Sequence, residues 1–326
     1  MKLFFRNILI FCFIAPSCFI LLILGFMKIL DVKFSELPGP RLSDSFSYNE
    51  KMDFIRNKKA DILTLGASVA LYGADPGEIR AFFKTDSYLN TSSWGLSIHD
   101  SYTFLKLYSQ IHKPKVVMLI GGVFEYDKPD RKLNYDDLKL FLSTSGYNNV
   151  YLKYLNFYYI LTYLKDKRDA LRDYPLGEKM SIKFDSYGSV LMKKDTAQIN
   201  SLKNKEILET GKKLMLNYLF AKGEPMTIEN YNYLDTLSSF CKLNNIKLYY
   251  FQAPMCKSAI DYFNGAVNEK IKNHCEIVKQ KLAANNQTFI NCDERIWEDS
   301  LFVHYEHLNA DGAKEFTKYC LDHIKK

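Results

Sequence analysis

From residue 7 to residue 27 the chain carries no charged side chain, and no other feature restricts its fold as much. As a helix this apolar run is about long enough to cross ~30 Å of hydrocarbon, where only a segment that satisfies its own backbone groups is stable. Lys2 and Arg6 precede it, whereas Lys28, Asp31, Lys33 and Glu36 follow in mixed sign. The positive-inside rule then puts the N-terminus in the cytoplasm and predicts a single-pass membrane protein with an extracytoplasmic domain. A cleaved signal peptide is the competing reading, because Pro16 and Ser17 interrupt the run and resemble a processing region. Apolar residues 19–26 continue beyond Cys18 and favour an uncleaved anchor. The chain thus divides into an anchor over residues 1–30, a connector over 31–49 containing Pro38-Gly39-Pro40, and a domain over 50–326.

The domain is long enough for one large α/β unit with an insertion, or for two small units. Apolar runs at residues 60–68, 87–90, 115–122, 246–253 and 288–292 read as strands. Helical patterns cover 75–83, 98–112, 227–245, 258–285 and 310–325. Residues 115–122, rich in Val, Met, Leu and Ile and stopped by Gly121-Gly122, have the continuous apolar character of a strand buried on both faces. This alternation predicts an α/β fold with a doubly wound, mainly parallel sheet. Residues 123–225 break the pattern and read as a helical insertion. Within it Tyr147, Tyr151, Tyr154, Tyr158, Tyr159 and Tyr163 crowd one segment, either an amphipathic cover for the sheet or a lid or docking surface.

A net charge of +7 over 326 residues, with the lysines scattered, leaves no footprint for nucleic acid. Contact with anionic headgroups or acidic polymers fits that charge better. Beyond the anchor lie Cys241, Cys256, Cys275, Cys292 and Cys320, with no C-x-x-C pair. A cysteine metal cluster is therefore not expected, and at most two disulfides can form. No cofactor motif is present.

Two polar groups stand where the pattern turns. Leu65-Gly66-Ala67-Ser68 is a small-residue turn directly after a strand, and His307-Leu308-Asn309 runs into the last helix. A serine oxygen raised above a sheet within reach of an imidazole is what nucleophilic acyl chemistry requires, since the ring must take the hydroxyl proton. The structural alternatives are a Ser68 that caps a turn and a His307 that merely precedes an N-capping Asn309. His304 and His307, with Glu306 between them, also have the look of a metal pair, but no third ligand is evident and no metal is assigned. Trp94 is either a packing residue or a platform for substrate.

The stretch Leu65-Gly66-Ala67-Ser68 through Asp75-Pro76 resembles the nucleophile block of the SGNH hydrolase superfamily, especially its membrane-anchored branch. Trp94-Gly95 is similar to the second block, Gly121-Gly122-Val123-Phe124-Glu125 to the third, and His307-Leu308-Asn309 to the last. The resemblance extends to alginate O-acetyltransferase subunits and the D-alanyl-transfer protein of teichoic acid synthesis, and it leaves out the insertion. It implies Ser68 as nucleophile, His307 as base, and the N–H groups of Ser68 and Gly95 as the oxyanion hole, with Trp94 and Glu125 near the substrate. Two positions depart from the family pattern. Val123 stands where the third block has an oxyanion-binding Asn, and His304 stands where the last block has the Asp that orients the histidine. A neutral His304 can accept a hydrogen bond from His307 but cannot stabilise its imidazolium; Asp299, Glu306 and Glu125 are the carboxylates that could replace it. The implied activity is a membrane-tethered O-acyltransferase or esterase acting on a cell-envelope polysaccharide. A polytopic membrane-bound O-acyltransferase is the implied partner, and a catalytically silent envelope-assembly or polymer-binding protein is the alternative.

Overall fold

The computed structural model describes residues 2–29, 42, 46–55, 58–126, 133, 135–143, 183–195, 202–219 and 231–324. The N-terminal helix α1 (Lys2–Ile29) contains an apolar span, Phe4–Gly25, long enough to cross a membrane. It runs through Pro16, which has no N–H to donate, and at the next residue Ser17 Oγ donates to the carbonyl of Phe13 at 2.7 Å.

The second unit is an α/β domain built on five parallel strands in the order β2-β1-β3-β4-β5. These are β1 (Ile62–Gly66), β2 (Tyr88–Asn90), β3 (Val116–Gly121), β4 (Lys247–Gln252) and β5 (Thr288–Ile290). Between and around them lie α2 (Phe46–Ile55), α3 (Ser68–Gly73), α4 (Pro76–Phe83), α5 (Ile98–Tyr108), α6 (Tyr135–Leu142), α7 (Lys205–Leu219), α8 (Asn232–Leu243), α9 (Lys257–Ala284) and α10 (Ala310–Ile324). Leaving β1, the chain winds one way through α3 and α4 to β2, then back through α5 to β3 on the other side of β1. With right-handed crossovers, that reversal puts α3–α4 and α5 on opposite faces, which makes the sheet doubly wound as expected.

Period-two alternation divides the core accordingly. Ile62, Met118, Ile120 and Phe251 point into one cluster with Val69 and Ala70 of α3, Ile79 of α4, and Phe316 and Leu321 of α10. Leu63, Leu65, Val117, Leu119 and Leu248, all buried, point the other way. Each such side chain contributes roughly 1.5–3 kcal/mol by leaving water, so β1, β3 and β4 are anchored in the core on both faces.

Three differences from the sequence reading bear on the site. The first strand stops at Gly66, and Ser68 begins a helix instead of ending a strand. Helix α2 begins at Phe46, inside the stretch expected to be connector, because Tyr48, Met52 and Ile55 form an i, i+4, i+7 buried stripe. Beside them Lys51 is also buried, donating from Nζ to the carbonyls of Asn90 and Gly188 and lying 4.2 Å from the Phe184 ring centroid. Of the expected helical insertion, α6 and α7 are helices, but residues 183–195 include an irregular strap. Tyr187 accepts from the N–H of Asn90, Leu71 from Val190, and Met192 from Ala310, so the strap ties β2, α3 and α10 together. The tyrosine-rich segment at 147–163 lies outside the described residues.

Candidate active site

In a doubly wound sheet the crevice forms beyond the carboxyl ends of the strands, where the winding reverses. Here that point lies between β1 and β3. Gly66 makes the exit from β1 possible: its φ is +134°, and a Cβ built there would lie 2.1 Å from the carbonyl oxygen of Ile120 on β3. Only a residue without a side chain fits against its neighbour and still turns the chain into α3. Ala67 is the N-cap of that helix and Ser68 its first residue, so the Ser68 hydroxyl is not used as the cap.

The Ser68 Oγ lies 2.9 Å from Nε2 of His307, across 239 residues of sequence. His307 sits in a loop closed at its base by the antiparallel bridge Phe302–Leu308 and by the Val303 N–H donating to the His307 carbonyl at 2.9 Å. Immediately after it Asn309, fully buried, accepts from the Gly312 N–H at 3.0 Å and donates from Nδ2 to the Ser300 carbonyl at 2.8 Å. The segment thus combines a capping Asn309 with an imidazole in contact with Ser68. Asn309 caps α10 and clamps the loop, and the clamp delivers the imidazole to the serine.

Around this pair the expected residues take unequal places. The ring of Tyr72, one turn after Ser68, meets His307 edge-on with centroids 5.1 Å apart. Trp94 is half-buried and donates from Nε1 to the Tyr72 hydroxyl at 2.6 Å, so it steadies the ring that steadies His307. Gly95 follows in the turn beyond β2 with φ +68°, on the same edge of the sheet. Glu125 is buried instead of facing substrate. It folds back in a short 3-10 turn so that Oε2 accepts the Gly122 N–H at 2.8 Å, bracing the exit from β3.

The orienting role expected of His304 is not visible as a hydrogen bond. Its ring lies 5.5 Å from that of His307 between centroids, and its buried Nδ1 has no partner among the described residues. Asp299 is occupied elsewhere, accepting from the N–H and Oγ of Ser258 at the start of α9. Among the described residues, the carboxylate nearest the His307 ring is Glu306, with Oε1 3.9 Å from Nε2. It approaches the nitrogen that faces Ser68, so it does not occupy the place of a triad aspartate. His304, Glu306 and His307 each offer one ligand atom, all within 4.8 Å of one another, and are the residues here that could hold a metal ion.

Burial sets the electrostatics. Desolvation, then the neighbouring His304, pushes His307 down to about 3, so its ring is neutral, with a lone pair available to Ser68 but a basicity weakened by the same burial. Desolvation, then Glu125, raises Glu306 to about 8, and desolvation raises Glu125 to about 7. A cavity of about 20 Å³, room for one water, is lined by Glu306, Gly122, Val123 and Gln252. Gln252, the last residue of β4, keeps an Oε1 without a hydrogen-bond partner among the described residues. Tyr72 and Gln252 were missed by the sequence reading. Their signals were the i+4 spacing from Ser68 and a polar side chain ending an apolar strand.

A pH dependence of stability follows. Folded-state values above the ordinary carboxylate range mean that the protonated forms stabilise the fold at low pH, and that this contribution is lost as pH rises through about 7 to 8. His307 works in the opposite sense, removing stability only as pH falls below its ordinary value of 6.5. Glu306→Gln keeps the shape without the titration. Its melting temperature relative to wild type should therefore climb between pH 6 and pH 9, by an amount corresponding to about 2 kcal/mol or more. A difference that stays constant across that range would mean Glu306 is already ionised in the fold.

No known family model matches the chain, and no curated protein matches it.

Proposed function

We propose that the chain is a membrane-tethered, extracytoplasmic serine O-acyltransferase or esterase of the SGNH hydrolase type, acting on a cell-envelope polysaccharide. One observation carries this reading: a serine that caps nothing lies in hydrogen-bond contact with a neutral imidazole at the sheet's switch point. In the reaction His307 Nε2 takes the Ser68 proton as Oγ attacks the acyl carbonyl carbon. The N–H groups of Ser68 and Gly95 hold the oxyanion, and collapse expels the donor's leaving group, which receives the proton from His307. A sugar hydroxyl or water then attacks the acyl-enzyme as His307 takes its proton, and the bond from the acyl carbon to Ser68 Oγ breaks as His307 returns that proton to the serine. The apolar helix would keep this domain beside acyl donors delivered through the membrane by a polytopic O-acyltransferase.

The second reading, a silent envelope-assembly or polymer-binding module, is favoured by His304. A second imidazole stands beside His307 where a carboxylate would stabilise its charged form. A fluorophosphonate probe decides between the two. Covalent labelling that disappears in Ser68→Ala is the expected result, and a wild-type chain that resists the probe across pH 6–9 would establish the silent module.

A further inference from the structure

Five cysteines follow the apolar helix, all buried and none part of the Ser68–His307 site. Cys292 opens the short 3-10 turn after β5, and Cys320 lies on the buried face of α10. Their sulfurs are 3.6 Å apart, inside the cluster that contains Trp297 and Phe316. We infer that Cys292 and Cys320 are joined as a disulfide in the exported chain.

The geometry needs little adjustment. Two sulfurs in contact must close to about 2.05 Å, which each side chain supplies by moving less than about 1 Å. The other nearby thiol, Cys275, points its sulfur toward Asn291 Oδ1 at 4.0 Å. In the reaction one thiol loses its proton and attacks the disulfide of an oxidised dithiol oxidoreductase, giving a mixed disulfide and one partner thiolate. The second cysteine, deprotonated in turn, displaces the partner, which leaves as the dithiol with both electrons. Burial pushes the Cys292 thiol well up, so the exchange belongs to folding, before α10 closes over it. The inference rests on the extracytoplasmic placement proposed above, because cytosolic thiols are kept reduced.

The bond would enclose His304, Glu306, His307 and Asn309 within one covalent ring. The half of the site that comes from the end of the chain would then be stapled to the sheet whatever the state of the rest of the domain.

The test is disulfide mapping on the full chain extracted from membranes, with free thiols trapped by N-ethylmaleimide in denaturant. A linked Cys292–Cys320 peptide is expected, together with a melting temperature that falls on the order of 5–10 °C on reduction. In the double variant Cys292→Ser, Cys320→Ser the melting temperature should no longer respond to reductant. Two further measurements separate the pairing from the placement. Protease access to the domain in spheroplasts reports its side of the membrane, and refolding of the reduced chain in glutathione buffer reports the pairing without reference to location. Maleimide on both thiols in an exposed domain, or a glutathione refold that leaves them free or links Cys275 instead, overturns the inference. A protected domain overturns the placement alone, and the refold then decides the pair.

Discussion

Replacing His307 with Ala is expected to lower serine-probe labelling and ester turnover by about 10³-fold while leaving the fold intact. The side chain contributes one hydrogen bond, to Ser68 Oγ, whereas the loop is held by backbone bonds at Val303 and by the buried Asn309. Loss of the ring therefore removes proton acceptance without removing the clamp. The companion variant His304→Asp probes the other side of the same ring. His307 is held down to about 3 partly by His304, and a carboxylate there would favour the imidazolium that forms as Ser68 attacks. The rate should rise tenfold or more. Wild-type labelling kinetics in His307→Ala, measured on a chain with an unchanged melting temperature, would show that Ser68 is not activated by this imidazole.

The largest effect on stability is expected at Gly66. An added Cβ meets the Ile120 carbonyl at 2.1 Å and the Ala70 Cβ at 2.8 Å, and the backbone there has φ +134°. The first cannot yield without parting β1 from β3, and the second cannot yield without pushing α3 off the end of β1. Gly66→Ala should cost about 3 kcal/mol or more in denaturant unfolding and leave little folded domain. Gly265, in α9, has φ +49° but open space around an added Cβ, so Gly265→Ala should cost about 1 kcal/mol. Equal losses at the two positions would show that backbone strain, not the close approach of β3, governs Gly66.

What the sequence showed and what it hid divide along a physical line. β3 was legible because a buried parallel strand needs an unbroken apolar run, and Gly121-Gly122 ends it within a residue of where the strand ends. α4 and α10 were legible from their caps, Asp75-Pro76 and Asn309. α2 was not, because its five apolar or aromatic residues in ten, Phe46, Tyr48, Met52, Phe54 and Ile55, are spaced too unevenly to give a clear periodic signal. At the site, Ser68 and His307 could be picked out because small-residue turns mark where polar groups are set out above a sheet. The brace from Trp94 through Tyr72 joins separate segments, and the serine side of His307 exists only once Ser68 is brought to it from the other end of the chain; Glu125 turns in on Gly122 only three residues away, but in a 3-10 turn that an apolar run does not announce. No local pattern encodes them.

The loop that carries His307 separates two kinds of constraint. Its base is fixed by Phe302, Leu308 and Asn309, all buried, and by Gly312, where a Cβ would strike the Leu301 carbonyl at 2.1 Å. Its tip, from Val303 to His307, is tied by short backbone bonds across the turn, by the Tyr305 carbonyl accepting from the N–H of Cys256, by the buried Tyr305 ring against Phe263, and by His307 against Ser68 and Tyr72. The side chains of His304 and Glu306 are not among those ties, so chemistry at these two positions can drift while the scaffold stays put. Exchange of His304 or Glu306 for other side chains is open to evolution in single steps, and a library confined to those two positions samples reaction types without sampling folds.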